Sequence, residues 1–227
     1  KEWNGDALSL LKDVDIVDLR WGVNTQDLPE EERESKVLKQ CLDGIRMSRP
    51  YFVAFIGDRY GWIPPLSKWR KVAGELSGEE SDKMGDELVE AKSVTELEIL
   101  FGALKDRKNL SNSFFMFRDS RVYDTMKPED LRRYSDADSK QRERLAELRK
   151  KILAAYQGTG LEHNLMQYSC QYDGRMVIGE NEFLELVNIL VRSIVSNEMD
   201  NALNSTDLDS LIGAELDLIQ ERNAYFV

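Results

Sequence analysis

The sequence predicts an α/β domain: a mostly parallel sheet with helices on both faces. Three observations carry that expectation. Short apolar or β-branched runs alternate with amphipathic helical stretches along the chain, and alternation with helical crossovers implies parallel strands. Two runs, Tyr51 to Ile56 and Ser113 to Phe117, are continuously apolar, as strands buried on both faces are. The chain has 227 residues, 41% of them hydrophobic, enough for one sizeable core or for a domain plus an appendage.

In chain order, residues 1–12 read as the tail of a helix, with Trp3, Ala7, Leu8 and Leu11 at helical spacing. Asp13 to Leu19 (DVDIVDL) alternates and is β-branched, so it reads as a strand. After an acidic loop with Pro29, residues Glu32 to Ser48 put Val37, Leu38, Cys41, Leu42 and Ile45 on one helical face. Arg49-Pro50 ends that helix. The strand Tyr51–Ile56 follows, then Gly57-Asp58-Arg59-Tyr60-Gly61-Trp62 and Pro64-Pro65. Residues 66–92 are charged and glycine-bearing, an insertion with one short helix. A helix is expected from Val94 to about Arg107, a buried strand over Ser113–Phe117, and a short helical turn from Lys127. A long helix covers Ser139 to Tyr156, a strand Leu165 to Gln171, and two last helices about Asn181–Ser196 and Thr206–Ala224. The domain expectation is 1–198, with 199–227 as a helix leading toward a downstream module.

Composition excludes several classes. The net charge is −11, against the basic face of nucleic-acid binders, so no nucleic-acid partner is expected. No apolar stretch is long enough to span a bilayer, and KEWNGDALSLL is not a signal peptide. No membrane partner and a cytoplasmic location are therefore expected. Two cysteines, Cys41 and Cys170, read as buried reduced thiols. One histidine, His163, leaves no metal site or histidine-based triad in view. No P-loop, dinucleotide-binding fingerprint or nucleophile elbow occurs.

In open parallel sheets ligands bind at the carboxyl ends of the strands. The loops expected there are DLRWGVN, GDRYGW and FRDS. Arg20, Trp21, Gly22, Asp58, Arg59, Tyr60 and Trp62 are the candidate substrate-binding residues. Arginine beside an aromatic ring suits phosphate or a base, and glycine lets a ligand approach the backbone. The bland alternative is that the Asp–Arg pairs fix the loops and the tryptophans cap the core. On the next helix, Ser93-Val94-Thr95-Glu96 is a capping box, which gives Glu96 a structural task. Glu98 has no such task; it flanks the apolar stripe, and Gly102 one turn later leaves open space beside it. Glu98 is thus the candidate catalytic carboxylate, a general base or a holder of ribose hydroxyls; an ordinary surface glutamate is the alternative.

DLRWGV, RPYFVAFIGDRYGWIPP, SVTELEILFGAL and FFMFRDS occur in this order, and in this the chain resembles the TIR-like domain found N-terminal to NACHT/STAND NTPases. Relatives of that domain occur in telomerase-associated protein and nephrocystin. Specific motifs cover about residues 10–120. The resemblance implies a TIR-like, flavodoxin-like sheet whose first strand, one reading like VFISST, is missing from this chain. It also implies a signalling or assembly domain that self-associates, or pairs with other TIR-like domains, ahead of a downstream NTPase module.

The alternative is a hydrolase cleaving NAD or a related nucleotide, with NAD as substrate and no cofactor. TIR enzymes carry a glutamate four residues before a small residue, the position of Glu98 before Gly102. They also carry a Trp-Cys pair before it, where this chain has Thr95-Glu96.

Overall fold

The computed structural model describes residues 29–75, 91–179 and 181–204. The expected strand at 13–19, the loop bearing Arg20, Trp21 and Gly22, residues 76–90 of the insertion and the helix at 206–224 lie outside them. The chain divides into two compact units, Ile16–Phe183 and Lys1–Asp15 together with Leu184–Val227.

In the first unit, helix α1 (Glu30–Ser48) begins directly after Pro29, whose carbonyl accepts from the Glu32 N–H at 2.9 Å. It stops at Arg49-Pro50. Strand β1 (Phe52–Ile56) follows, then helix α2 (Leu66–Glu75) at the start of the insertion. Helix α3 (Val94–Ile99) runs into a π turn at Leu100–Leu104. Strand β2 is Ser113–Arg118. The short helix α4 (Pro128–Leu131) and the long α5 (Ser139–Tyr156) lead to strand β3 (Leu165–Tyr168). The sheet order is β1-β2-β3 and every pairing is parallel, with Ala54 beside Phe115 and Phe115 beside Leu165. The described residues thus form an α/β arrangement with a three-stranded parallel sheet.

The core explains the register. Ala54, Ile56 and Phe115 project from one sheet face onto Ile99 of α3, Ala103 of the π turn, and Leu145, Leu148, Ile152 and Tyr156 of α5. The Phe115 ring meets those of Phe52 and Tyr156 at 6.1 and 5.8 Å. The other side carries Leu97 of α3 with Leu100 and Phe101 of the π turn, which pack with Leu38, Leu42 and Ile45 of α1 and with Trp69 and Val72 of α2. A helix buried between two layers is apolar nearly all round, as VTELEILFGAL is apart from its glutamates. The Tyr156 hydroxyl donates to the Ser113 and Leu110 carbonyls at 2.8 and 3.1 Å, and the Asn164 side-chain amide donates to those of Leu110 and Ser111. Together they tie the entry of β2 to the ends of α5 and β3.

Four expectations need correction. The helix at Val94 ends at Leu104, not near Arg107; the Lys105 N–H donates to the Leu100 carbonyl, and Asp106 caps a following 3-10 turn, Arg107–Asn112. Strand β1 is not buried on both faces: Ala54 and Ile56 are, while Val53 and Phe55 are 37% and 42% exposed. The run Leu165–Gln171 is two strands. After β3 the chain enters a hairpin, β4 (Cys170–Tyr172) antiparallel to β5 (Val177–Gly179). Asp173 turns it by accepting from the Arg175 and Met176 amides, and Gly174 supplies the left-handed backbone. Last, helix α6 (Asn181–Asn204) continues past Ser196. In the second unit it is described from Leu184 to Asn204, with Leu184 and Ile189 largely exposed.

Candidate functional site

Strand β1 delivers Gly57 to Pro65 at its carboxyl end, and β2 delivers Arg118 and Asp119 at the same end, because the two strands are parallel. Asp58 is the hub. Its Oδ2 accepts from the Tyr123 hydroxyl at 2.6 Å and lies 3.5 Å from Arg118 Nη2; its Oδ1 accepts from Arg149 Nη2 at 2.9 Å. Arg149 Nη2 also donates to the Gly57 carbonyl, and Arg118 Nη2 to the Tyr123 hydroxyl. The Arg118 guanidinium lies 5.4 and 5.9 Å from the Tyr123 and Tyr134 ring centres, a cation–π arrangement. Burial, then the hydrogen bond to Asp58, push the Tyr123 hydroxyl well above its ordinary range, so it stays a donor.

The neighbouring candidates point elsewhere. Arg59 is exposed and donates to the Arg132 carbonyl at 2.7 Å. Tyr60 is 1% exposed. Its N–H donates to Asp136 Oδ2 at 2.6 Å, and its hydroxyl donates to Glu96 through a short hydrogen bond. Burial first, then that hydrogen bond, push its pKa up to about 12. Gly61, with φ +98°, turns the chain, and Trp62 is 44% exposed while its carbonyl accepts from the Val94 N–H at 3.0 Å.

Half of the expected capping box is present. The Ser93 hydroxyl accepts from the Glu96 N–H at 3.1 Å. Glu96 does not reach back: the Ser93 N–H donates to the Tyr60 hydroxyl, and the Glu96 carboxylate instead holds Tyr60 and, at 3.0 Å, Lys151. A long-range aromatic hydroxyl replaces the local acceptor, so Glu96 joins β1's loop, α3 and α5.

Glu98 lies two residues on, about 200° around the helix. Its neighbour is Cys41 of α1, whose thiol donates to it, and burial raises its carboxyl above the ordinary value. Burial, with the Glu98 charge second, pushes the Cys41 thiol up to about 12, which leaves an inert thiol. The space foreseen beside Gly102 is filled: a Cβ there would come within 2.4 Å of the Phe52 ring. The structure therefore brings Asp58 together with Arg118, Tyr123 and Arg149, and Tyr60 with Glu96 and Lys151. It sets Glu98 on the α1 side of α3. Arg118 was legible as part of FRDS; Tyr123 and Arg149 carried no local signal, since their roles rest on long-range contact. Among the described residues no group of three or more acidic, cysteine or histidine side chains could hold a metal ion.

The chain is similar to telomerase protein component 1. It is 28% identical to the Mus musculus protein and 26% identical to the Rattus norvegicus protein over 164 residues, 70% of this chain. It is also 26% identical over 145 residues, 62% of this chain, to a TPR repeat-containing protein of Dictyostelium discoideum. The chain spans 5% of the two telomerase components and 8% of the Dictyostelium protein. No family model matches it, and no solved structure does. Among the described residues no helix is long and apolar enough to cross a membrane.

Proposed function

We propose that this chain is a signalling or assembly domain of TIR-like type, placed ahead of the NTPase module of a NACHT/STAND protein. It acts by self-association or by recruiting other TIR-like domains. The observation that carries this reading is the placement of Glu98: its partner is Cys41 on α1, and it lies on the opposite side of α3 from the Tyr60–Glu96 contact. A dinucleotide-cleaving set of Glu98 with Arg59 and Trp62 would need those groups to converge, yet Arg59 is held by the Arg132 carbonyl. The share of its relatives that the chain spans fits one module of a longer protein. The test is the solution mass of the chain across micromolar concentrations, with and without the NTPase module of its own full-length protein. A mass that rises with concentration, or co-elution with the module, supports the reading. A monomer that binds neither itself nor the module contradicts it.

One observation favours the second reading, a hydrolase acting on NAD: the Glu98 carboxyl is half-buried rather than in bulk solvent, with a raised pKa. Nicotinamide release from NAD that disappears in Glu98→Gln would establish it.

A further inference from the structure

Asp-Gly occurs twice in the chain, at Asp43-Gly44 and at Asp173-Gly174. In this dipeptide the glycine nitrogen can bond to the aspartate Cγ, because glycine adds no Cβ to hinder it. The two copies stand on different backbones. Asp43 lies within helix α1, where Gly44 is buried and the Asp43 carboxylate pairs with Arg46 at 3.2 Å. A helix engages each interior N–H with the carbonyl four residues back, so ring closure there would break a turn. Asp173 and Gly174 are exposed at the turn of the β4–β5 hairpin. Asp173 Oδ1 accepts from the Arg175 and Met176 N–H groups, both at 2.8 Å. A carboxylate that reaches the second and third amides ahead is folded over the peptide before them, which is that of Gly174. Nothing lies within 4 Å of a Cβ built on Gly174, so the approach is open. The two amides also face the oxygen on which negative charge develops as the nitrogen adds.

We infer that Asp173-Gly174 is a site of spontaneous covalent modification, isomerising from aspartate to isoaspartate in the folded chain, while Asp43-Gly44 is not. The Gly174 nitrogen bonds to Asp173 Cγ and a Cγ–O bond breaks. The oxygen leaves as water, with the amide proton and one proton from solvent. Water then opens the five-membered imide at its main-chain carbonyl, which leaves the chain running through Cγ and returns the proton. The Met176 and then the Arg175 amide hold the carboxyl below the usual carboxylate range, so closure waits on proton uptake and is slow. The product lengthens the turn by one methylene and moves the carboxylate that the two amides hold. Strand β5 starts at the next residue, and its Val177 N–H donates to the Tyr134 hydroxyl at 3.1 Å. The Tyr134 ring lies against Arg118, so isomerisation loosens the tie between the hairpin and the rim that carries Asp58. This site does not depend on the assembly reading.

The test is peptide mapping of the full chain kept for weeks at physiological pH and temperature, once folded and once in urea, with isoaspartate placed by electron-transfer fragmentation. Asn4-Gly5, outside the described residues, falls on its own peptide. In the folded chain the Asp173 peptide is expected to gain about tenfold more isoaspartate than the Asp43 peptide, since a misplaced reacting group loses at least that much rate. In urea the two are expected to gain it equally. Asp173→Glu, whose ring would need a sixth member, is expected to gain none there. Equal gain on both peptides of the folded chain overturns the proposal, as does gain at Asp173 in urea alone. Hydrogen exchange at the Val177 N–H is expected to be faster in the isomerised fraction, and unchanged exchange overturns the loosening of the hairpin.

Discussion

Gly102→Ala sets helix propensity against packing, and the two predict opposite signs. Alanine in place of glycine stabilises an exposed helix by about 1 kcal/mol. Here the new methyl would stand 2.4 Å from Phe52 Cδ2 and 2.6 Å from Cε2, where ordinary contact begins at 3.4 Å. The difference, 3.4 − 2.4 = 1.0 Å, must be found by moving the Phe52 ring or by parting the π turn from β1. Phe52 packs with the core and against Phe115, so the ring has little freedom to yield. Overpacking of this kind costs about 1–3 kcal/mol, which outweighs the propensity gain over most of its range. The expected net change is a loss of about 1 kcal/mol, seen as a fall in Tm of about 2–4 °C for a chain this size. Thermal and denaturant unfolding of Gly102→Ala, Phe52→Leu and the double variant measure it. The double variant should recover most of the loss, giving a coupling of about 1 kcal/mol. A Gly102→Ala chain more stable than wild type would refute the reasoning, because propensity alone would then decide the position.

Further outcomes follow from the same contacts. Glu98 has its carboxyl pKa raised by burial, so the folded state favours the protonated form. Its contribution is present below the unfolded value and is lost as pH rises through the folded one. Glu98→Gln should therefore raise Tm at neutral pH and match wild type in acid; a Tm difference independent of pH would contradict the burial argument. Tyr60→Phe and Glu96→Gln should be coupled by about 1–2 kcal/mol in a double-mutant cycle read by urea unfolding, and additive losses would sever the contact. Asp58→Asn strands two guanidiniums and should destabilise the chain by about 1–3 kcal/mol. Arg59→Ala, which removes one exposed contact to the Arg132 carbonyl, should change stability by less than about 0.5 kcal/mol.

The elements with a clear period were legible in the sequence. Helix α5 begins and ends where its pattern does, since Asp138 caps it and Tyr156 closes its apolar stripe. The FVAFI and SFFMF runs gave strands in the expected parallel pairing. What escaped depended on distance along the chain. Nothing near Glu96 signals that Tyr60, 36 residues earlier, takes over its capping-box task. The hairpin after β3 has a local signal, Asp173-Gly174, but the strand expected from the sequence stops at Gln171, before that turn. Gly102 reads as an opening in the sequence because glycine lacks a side chain; the structure fills that volume with Phe52 from another element. For the candidate site, GDRY and FRDS supply Asp58 and Arg118, which meet at the carboxyl ends of β1 and β2. The residues that complete it, Tyr123 and Arg149, sit on stretches whose local pattern is that of solvated turns and helices.

The most direct measurement is nicotinamide release from NAD by the full chain fused to an oligomerising coiled coil, compared with the same fusion carrying Glu98→Gln. The assembly account predicts that both release nicotinamide no faster than buffer, while the wild-type fusion still captures the unfused chain. Release by the wild-type fusion that is lost with Glu98→Gln would contradict it.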